Sequence, residues 1–164
     1  TTEMIFMTKQ LNPDVYAPIV YSKASTDSTS VDRLMHSRKS DTTSLQVYDI
    51  PRSREVGQSY FTSIFTTLIA MLSAFILVWR VRPQLILCNG PGTCIPVCFA
   101  AFLYRVLGIS YSCTIFIESY CRVETLSLTG KLLYHGFADL FVVHWKNLHE
   151  KYPNSVLTCS FIPH

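Results

Sequence analysis

The sequence predicts an α/β fold, a parallel sheet flanked by helices. Three observations predict it. From Gln84 onward, short strand-like runs alternate with helix-like runs, the signature of βα units. The run LILC at 85–88 is apolar without alternation, as in strands covered on both faces. The 164 residues are 49% hydrophobic and only 15% charged, against about 25% charged in an ordinary soluble domain. Disorder is excluded for most of the chain, because disordered segments are charged and poor in aromatics.

The elements follow in order. Thr1 to Leu11 reads as a helix, with Glu3 in its first turn and Met4, Ile5, Met7 and Leu11 as its apolar side. Val15 to Tyr21 reads as a short strand, which Pro18 confines to an edge or interrupts. Ser22 to Ser44 is rich in Ser, Thr and Asp and reads as a loop. Leu45 to Ile50 alternates apolar and polar residues, so it reads as a strand. Ser59 to Trp79 is helical. Gln84 to Cys88 is a buried strand, Asn89 to Thr93 a Gly/Pro turn, and Ile95 to Leu107 a helix stopped by Gly108. Tyr111 to Ile117 is a strand, Arg122 to His135 a helix, Asp139 to Val143 a strand, and Trp145 to Tyr152 a short helix ended by Pro153.

The helix at 59–79 is unusual. Tyr60 to Trp79 carries no charge, and such a run is about as long as a membrane span. Its small and hydroxyl residues share one face on a helical wheel, among them Thr66, Thr67, Ala70, Ser73 and Ala74. Bulky residues, among them Phe65, Leu68, Leu72 and Ile76, share the other. This one-sided pattern favours a helix lying on a sheet or in a membrane interface over one that crosses the bilayer. From Val56 to Ile117 the only formal charges are Arg80, Arg82 and Arg105, which suit an anionic leaflet. The net charge of +3 and the lack of a basic run give no support to nucleic-acid binding.

Ligands of open α/β sheets bind beyond the carboxyl ends of the strands, and two of those ends carry candidate chemistry. In LILCNGPGTCIPVC, Asn89, Gly90, Gly92 and Thr93 join a strand to a helix N-terminus. Glycines there let a ligand approach the backbone, and the free N–H groups attract phosphate. The plain alternative is a structural turn with Thr93 as its N-cap. It is neither a Walker loop nor GxGxxG, and no acid follows at the spacing a nicotinamide-binding turn needs. In FIESYCRVETL, Glu118 is the first acid after the acid-free stretch and directly follows a strand. It is a candidate proton acceptor or sugar ligand. Its alternative is a cap or a partner for Arg122, four residues on. Arg52 and Arg54 follow another strand end and could reach a phosphate or lipid headgroups.

The six cysteines form no CxxC pair and no zinc set. Most lie in apolar runs, which reads as core thiols and a reducing compartment. His135, His144 and His149 lack metal spacing and read as structural or surface residues. No metal or cofactor is expected.

Three segments, IPRSREVGQS, RPQLILCNGPGTCIPVC and IESYCRVETLSLTGKLLYH, together resemble the membrane-anchoring subunit of the two-chain UDP-GlcNAc transferase of the dolichol pathway. The opening TTEM resembles that family's residues just after a glycine-rich GSGGH turn. The resemblance runs from Thr1 to about Val156. It implies a Rossmann-like domain, the N-terminal acceptor half of a GT-B glycosyltransferase, over residues 1–156, with an atypical tail at 157–164. The family's membrane helix, first strand and GSGGH turn would precede Thr1, so the chain is expected to be truncated relative to it. A separate nucleotide-sugar-binding partner is implied, with no activity expected from this chain alone. The pair would add the second GlcNAc to GlcNAc-diphosphate-dolichol at the cytosolic face of the endoplasmic reticulum or nuclear membrane. Asn89 to Thr93 then corresponds to a loop bracketing the acceptor diphosphate, and Glu118 and Arg122 to a motif facing the cleft. The alternative is a non-catalytic membrane-bound scaffold.

Overall fold

A computed structural model describes residues 3–4, 8, 19–24, 46–51, 60–90 and 92–158. The chain divides into two compact units, Thr1–Ala70 and Met71–His164.

In the first unit, β1 (Val20–Ala24) and β2 (Gln46–Ile50) pair in parallel, with Val20 opposite Gln46 and Ala24 opposite Ile50. β1 therefore begins where the sequence reading placed the end of a strand, and Ser22 to Ala24 are strand rather than loop. Tyr21, Tyr48 and Val47 are β-formers that suit a half-buried surface, and Ile50 is buried. Glu3, Met4 and Thr8 are helical, and the Tyr21 hydroxyl donates to Thr8 Oγ1 at 2.7 Å. The rest of the expected N-terminal helix, Val15 to Pro18, and Arg52 and Arg54 lie outside the described residues.

The helix α1 (Tyr60–Val81) begins in the first unit and ends in the second. Its two faces are inverted relative to a soluble amphipathic helix. Ala70 and Ala74 are fully buried and Val78 nearly so, while Phe65, Leu68, Ile69, Leu72, Ile76 and Trp79 are 50–69% exposed. Among the described residues no helix is long and apolar enough to cross a membrane. Arg82 ends the helix at φ 45°, its N–H donating to the Val78 carbonyl, with its guanidinium over the Trp79 ring at 5.1 Å.

The second unit holds a four-stranded parallel sheet in the order β3 (Leu85–Asn89), β4 (Cys113–Ile117), β5 (Leu140–Val143) and β6 (Val156–Leu157). The crossovers are α2 (Cys94–Val106), α3 (Leu128–Tyr134) and α4 (Lys146–Lys151). One sheet face carries Ile86, Cys88, Phe116, Phe141 and Val143, all buried, and the core continues into Cys98, Ala101, Leu133 and Leu148 of the helices. Phe116 and Phe141 are cross-strand partners with ring centroids 5.2 Å apart. Phe75 of α1 meets Phe99 and Tyr104 of α2 edge to face, and the Tyr104 hydroxyl donates to the Phe75 carbonyl at 3.1 Å.

α2 ends as the sequence predicts. Gly108 sits at φ +69° while its N–H and that of Ile109 close on Arg105 and Tyr104 carbonyls. Arg105, expected at a lipid surface, is instead paired with Asp139, which also accepts from the Thr114 N–H at 2.8 Å. The helix expected from Arg122 starts only at Leu128. The reason is local competition: Ser127 accepts the Gly130 N–H at 2.9 Å as N-cap, and β-branched Val123 and Thr125 favour the loop. β6 is too short to stand out in the sequence.

Candidate functional site at the carboxyl edge of the sheet

Because all four strands run parallel, Asn89, Glu118 and His144 leave the sheet at one edge. Asn89 is the last residue of β3. Gly90 follows at φ +74°, a conformation that side chains rarely adopt. A Cβ added at Gly90 would meet no atom within 4 Å, so the turn is open at this point. Thr93 stands at the N-cap position of α2, but its side chain makes no capping hydrogen bond. Thr93 holds the N-cap position expected of it without a side-chain cap. In the first turn of this thirteen-residue helix the Ile95 N–H donates to the Gly92 carbonyl at 3.2 Å, and the helix N-terminus stands at the edge. Pro96 fits in that turn because its missing N–H has no intrahelical partner there.

Glu118 does not stand free in the crevice. It is 1% exposed. Its carboxylate accepts from the Ser119 N–H at 3.1 Å and from both the N–H and the hydroxyl of Ser127 at 3.0 Å. Ser127 thus caps α3 with one lone pair and donates its proton to Glu118. The missing side chain of Gly130 makes room for this: a Cβ there would lie 2.1 Å from the Glu118 Oε2. Glu118 ties the loop 119–127 shut at both ends. Arg122 is exposed, its N–H donates to the Ser119 carbonyl, and the ion pair with Glu118 suggested by spacing does not form. Glu124, expected on a helix surface, lies in the loop, its carbonyl accepting from Lys151 Nζ at 3.0 Å.

The loop also presents aromatic rings that sequence reasoning missed. The Tyr120 ring lies 4.9 Å from Trp145 and 5.7 Å from His144, and the Trp145 indole N–H donates to the Tyr120 carbonyl at 2.8 Å. The signal available was position: Tyr120 and His144 each follow a strand end by one to three residues.

Three thiols lie under the β3 turn. Cys88 and Cys98 are buried with sulfurs 3.5 Å apart, and Cys94 is half-buried. The neighbouring Cys88 thiol lowers Cys94 from its ordinary value, against the opposing effect of burial. Hydrogen bonds with Cys94 and Cys98, together with burial, push Cys88 well up. Cys113 and Cys121, by contrast, are exposed rather than core thiols. Among the described residues no group of His, Cys, Asp and Glu could hold a metal ion.

The family model for "Oligosaccharide biosynthesis protein Alg14 like" matches residues 1–161. The chain is 44% identical over 164 residues to the Homo sapiens UDP-N-acetylglucosamine transferase subunit ALG14, covering 95% of this chain and 75% of that protein. It is 40% identical to the Yarrowia lipolytica subunit of the same name, over 94% of this chain and 73% of that protein. For the Schizosaccharomyces pombe subunit the identity is 35%, over 93% and 73%. No solved structure matches. A parallel sheet whose glycine turn and post-strand loop share one edge, matched along nearly its whole length, places this chain in the Alg14 family.

Proposed function

We propose that the chain is the acceptor-binding, membrane-recruiting subunit of a UDP-GlcNAc transferase in N-glycan precursor synthesis. The observation that carries the site is the Gly90 turn. It joins a parallel strand to the N-terminus of α2, is open where a side chain at Gly90 would stand, and its Thr93 side chain makes no capping hydrogen bond. Such a turn suits the diphosphate of a lipid-linked GlcNAc acceptor. Asn89, Gly90, Gly92 and Thr93 hold the diphosphate, with Arg122 as an exposed cation from the neighbouring loop. A catalytic partner supplies the nucleotide sugar. A hydroxyl of the acceptor sugar attacks the anomeric carbon of GlcNAc, and UDP leaves.

Glu118 enters this reading as a positioning residue. Its 1% exposure and three donors favour holding the 119–127 loop over taking a proton from the acceptor. The exposed face of α1, with Trp79, Arg80 and Arg82 at its end, suits the membrane interface, where aromatic and cationic residues sit at the headgroups. It lies on the cytosolic face of the endoplasmic reticulum in this reading. Arg52 and Arg54 add phosphate or headgroup contacts.

The test uses membranes carrying the chain and its partner. Gly90→Ala should raise the acceptor KM and leave the UDP-GlcNAc KM unchanged. An unchanged acceptor KM, with the variant present at normal level, refutes the diphosphate assignment.

A further inference from the structure

The helices of the second unit lack an ordinary solvent face. α1, α2 and α3 together hold no Asp or Glu, and their formal charges are Arg80, Arg105 and Lys131. Arg105 is already paired with Asp139. A helix lying on a sheet normally turns charged residues outward. Here the outward residues are apolar: Leu72, Ile76 and Trp79 of α1, Val106 of α2, and Leu128 and Leu132 of α3 are 46–85% exposed. α4 differs. It exposes Lys146, Asn147, Glu150 and Lys151, the mixed charges of a solvated helix.

The apolar residues lie on one side of the unit. The strands follow one another in the sheet in the order β3, β4, β5, β6, and right-handed crossovers then put α2, α3 and α4 on the same face. The core agrees, since Val78, Cys98, Leu133 and Leu148 of the four helices join one set of strand residues. α2 packs against α3. Aromatic contacts carry the layer across: Phe75 of α1 meets Phe99 of α2, and Phe99 meets Phe137, just after α3, at 5.8 Å. On α3 itself, Lys131 and Leu132 follow Leu128 by three and four residues, so the three share a face opposite buried Thr129, Gly130 and Leu133.

We propose that α3 is a second membrane-contacting helix: Leu128 and Leu132 enter the apolar boundary of an anionic leaflet, Lys131 meets its headgroups, and the contact runs from α1 over α2 to α3 and stops before α4. This extends, and rests on, the reading of α1 as a helix at the membrane interface. Charge selects the occupant. An acid-free layer with Arg80 and Arg82 at the end of α1 and Lys131 on α3 complements anionic lipid, each cation near the surface being worth about fivefold in binding. The unit then rests on its helices, with the sheet about one helix diameter, ~10 Å, above the lipid. Strands and helices run along the membrane. The carboxyl edge with Gly90 therefore opens sideways, near the headgroups, where a lipid-linked diphosphate lies.

The experiment measures partitioning of the full chain onto phosphatidylcholine vesicles with and without phosphatidylserine, over a lipid titration. Leu128→Gln with Leu132→Gln should weaken partitioning about tenfold or more, since burying one Leu side chain is worth about that much. Lys131→Glu should weaken binding to the phosphatidylserine vesicles about fivefold or more and leave binding to phosphatidylcholine alone unchanged. Lys131 is exposed, so this variant tests the face even where the double variant does not fold. Lys146→Glu on α4, the same charge change, should have a much smaller effect. Undiminished partitioning of the Leu128 and Leu132 variant, beside a loss for Leu72→Lys with Ile76→Lys, overturns the proposal and keeps α1 at the interface. A loss in the α3 variant with none in the α1 variant upholds the α3 contact and refutes the reading of α1. Equal effects of Lys131→Glu and Lys146→Glu overturn the proposal, because net charge alone would produce them. Loss of co-purification with the catalytic partner at unchanged lipid partitioning assigns the face to a protein and overturns it as well.

Discussion

Replacing Gly130 by Ala should destabilise the protein, although the same change in most helices stabilises it. Gly130 lies inside α3, where Ala is ordinarily better by about 1 kcal/mol. Here the new Cβ would stand 2.1 Å from Glu118 Oε2, 3.1 Å from Ser127 Oγ and 3.3 Å from Glu118 Cδ. The carboxylate has to retreat, and it is enclosed. Retreat stretches the 3.0 Å bonds it accepts from the Ser127 N–H and hydroxyl. A hydrogen bond to a charged group contributes about 1.5–3 kcal/mol. Losing one and weakening the other, less the helix gain, leaves a net loss of about 2–4 kcal/mol. At about 2–4 °C per kcal/mol for a chain of this size, Tm should fall by about 5–15 °C. The assay is thermal unfolding of Gly130→Ala in the native and Glu118→Ala backgrounds. Without the carboxylate the Ala side chain has space, so there the substitution should be neutral or stabilising. An unchanged or raised Tm in the native background, or equal losses in both, refutes the clash and the enclosed role of Glu118.

Other outcomes follow from the same structure. Glu118→Gln keeps the shape but turns an amide N–H₂ toward donors, so it should lower Tm together with kcat; a lowered kcat at unchanged Tm would instead assign Glu118 to proton transfer. Alkylation of Cys94 by iodoacetamide should reach half its maximal rate at a lower pH than that of an ordinary free thiol such as cysteine in solution, because Cys88 favours the Cys94 thiolate; an equal or higher midpoint refutes that pairing. Leu72→Lys with Ile76→Lys should abolish flotation with anionic vesicles at unchanged circular dichroism, since both side chains lie on the exposed face of α1; undiminished flotation removes α1 from the membrane interface. The purified chain alone should transfer no GlcNAc to a lipid-diphosphate acceptor, and measurable transfer without partner would contradict the half-site reading.

What the sequence reveals and what it conceals divide along a physical line. Elements set by local rules are legible. The apolar run at Leu85–Cys88, the stop at Gly108 and the two-faced pattern of α1 all depend on neighbours within a turn or a strand. The start of α3 is not legible, because it is decided by a bond spanning nine residues, from Ser127 to Glu118. The same bond decides the site. From spacing, a strand-end Glu followed four residues later by Arg reads as an exposed acid with a cation at hand. In the fold the acid turns inward and the cation stays outside, because Ser127 offers two donors and Gly130 offers space. The meeting of buried thiols was hidden for a related reason. Cys88, Cys94 and Cys98 match no metal or redox spacing in the chain. Cys88 and Cys98 meet only because a parallel strand and the helix after it fold back on each other across a glycine turn, which brings their sulfurs to 3.5 Å.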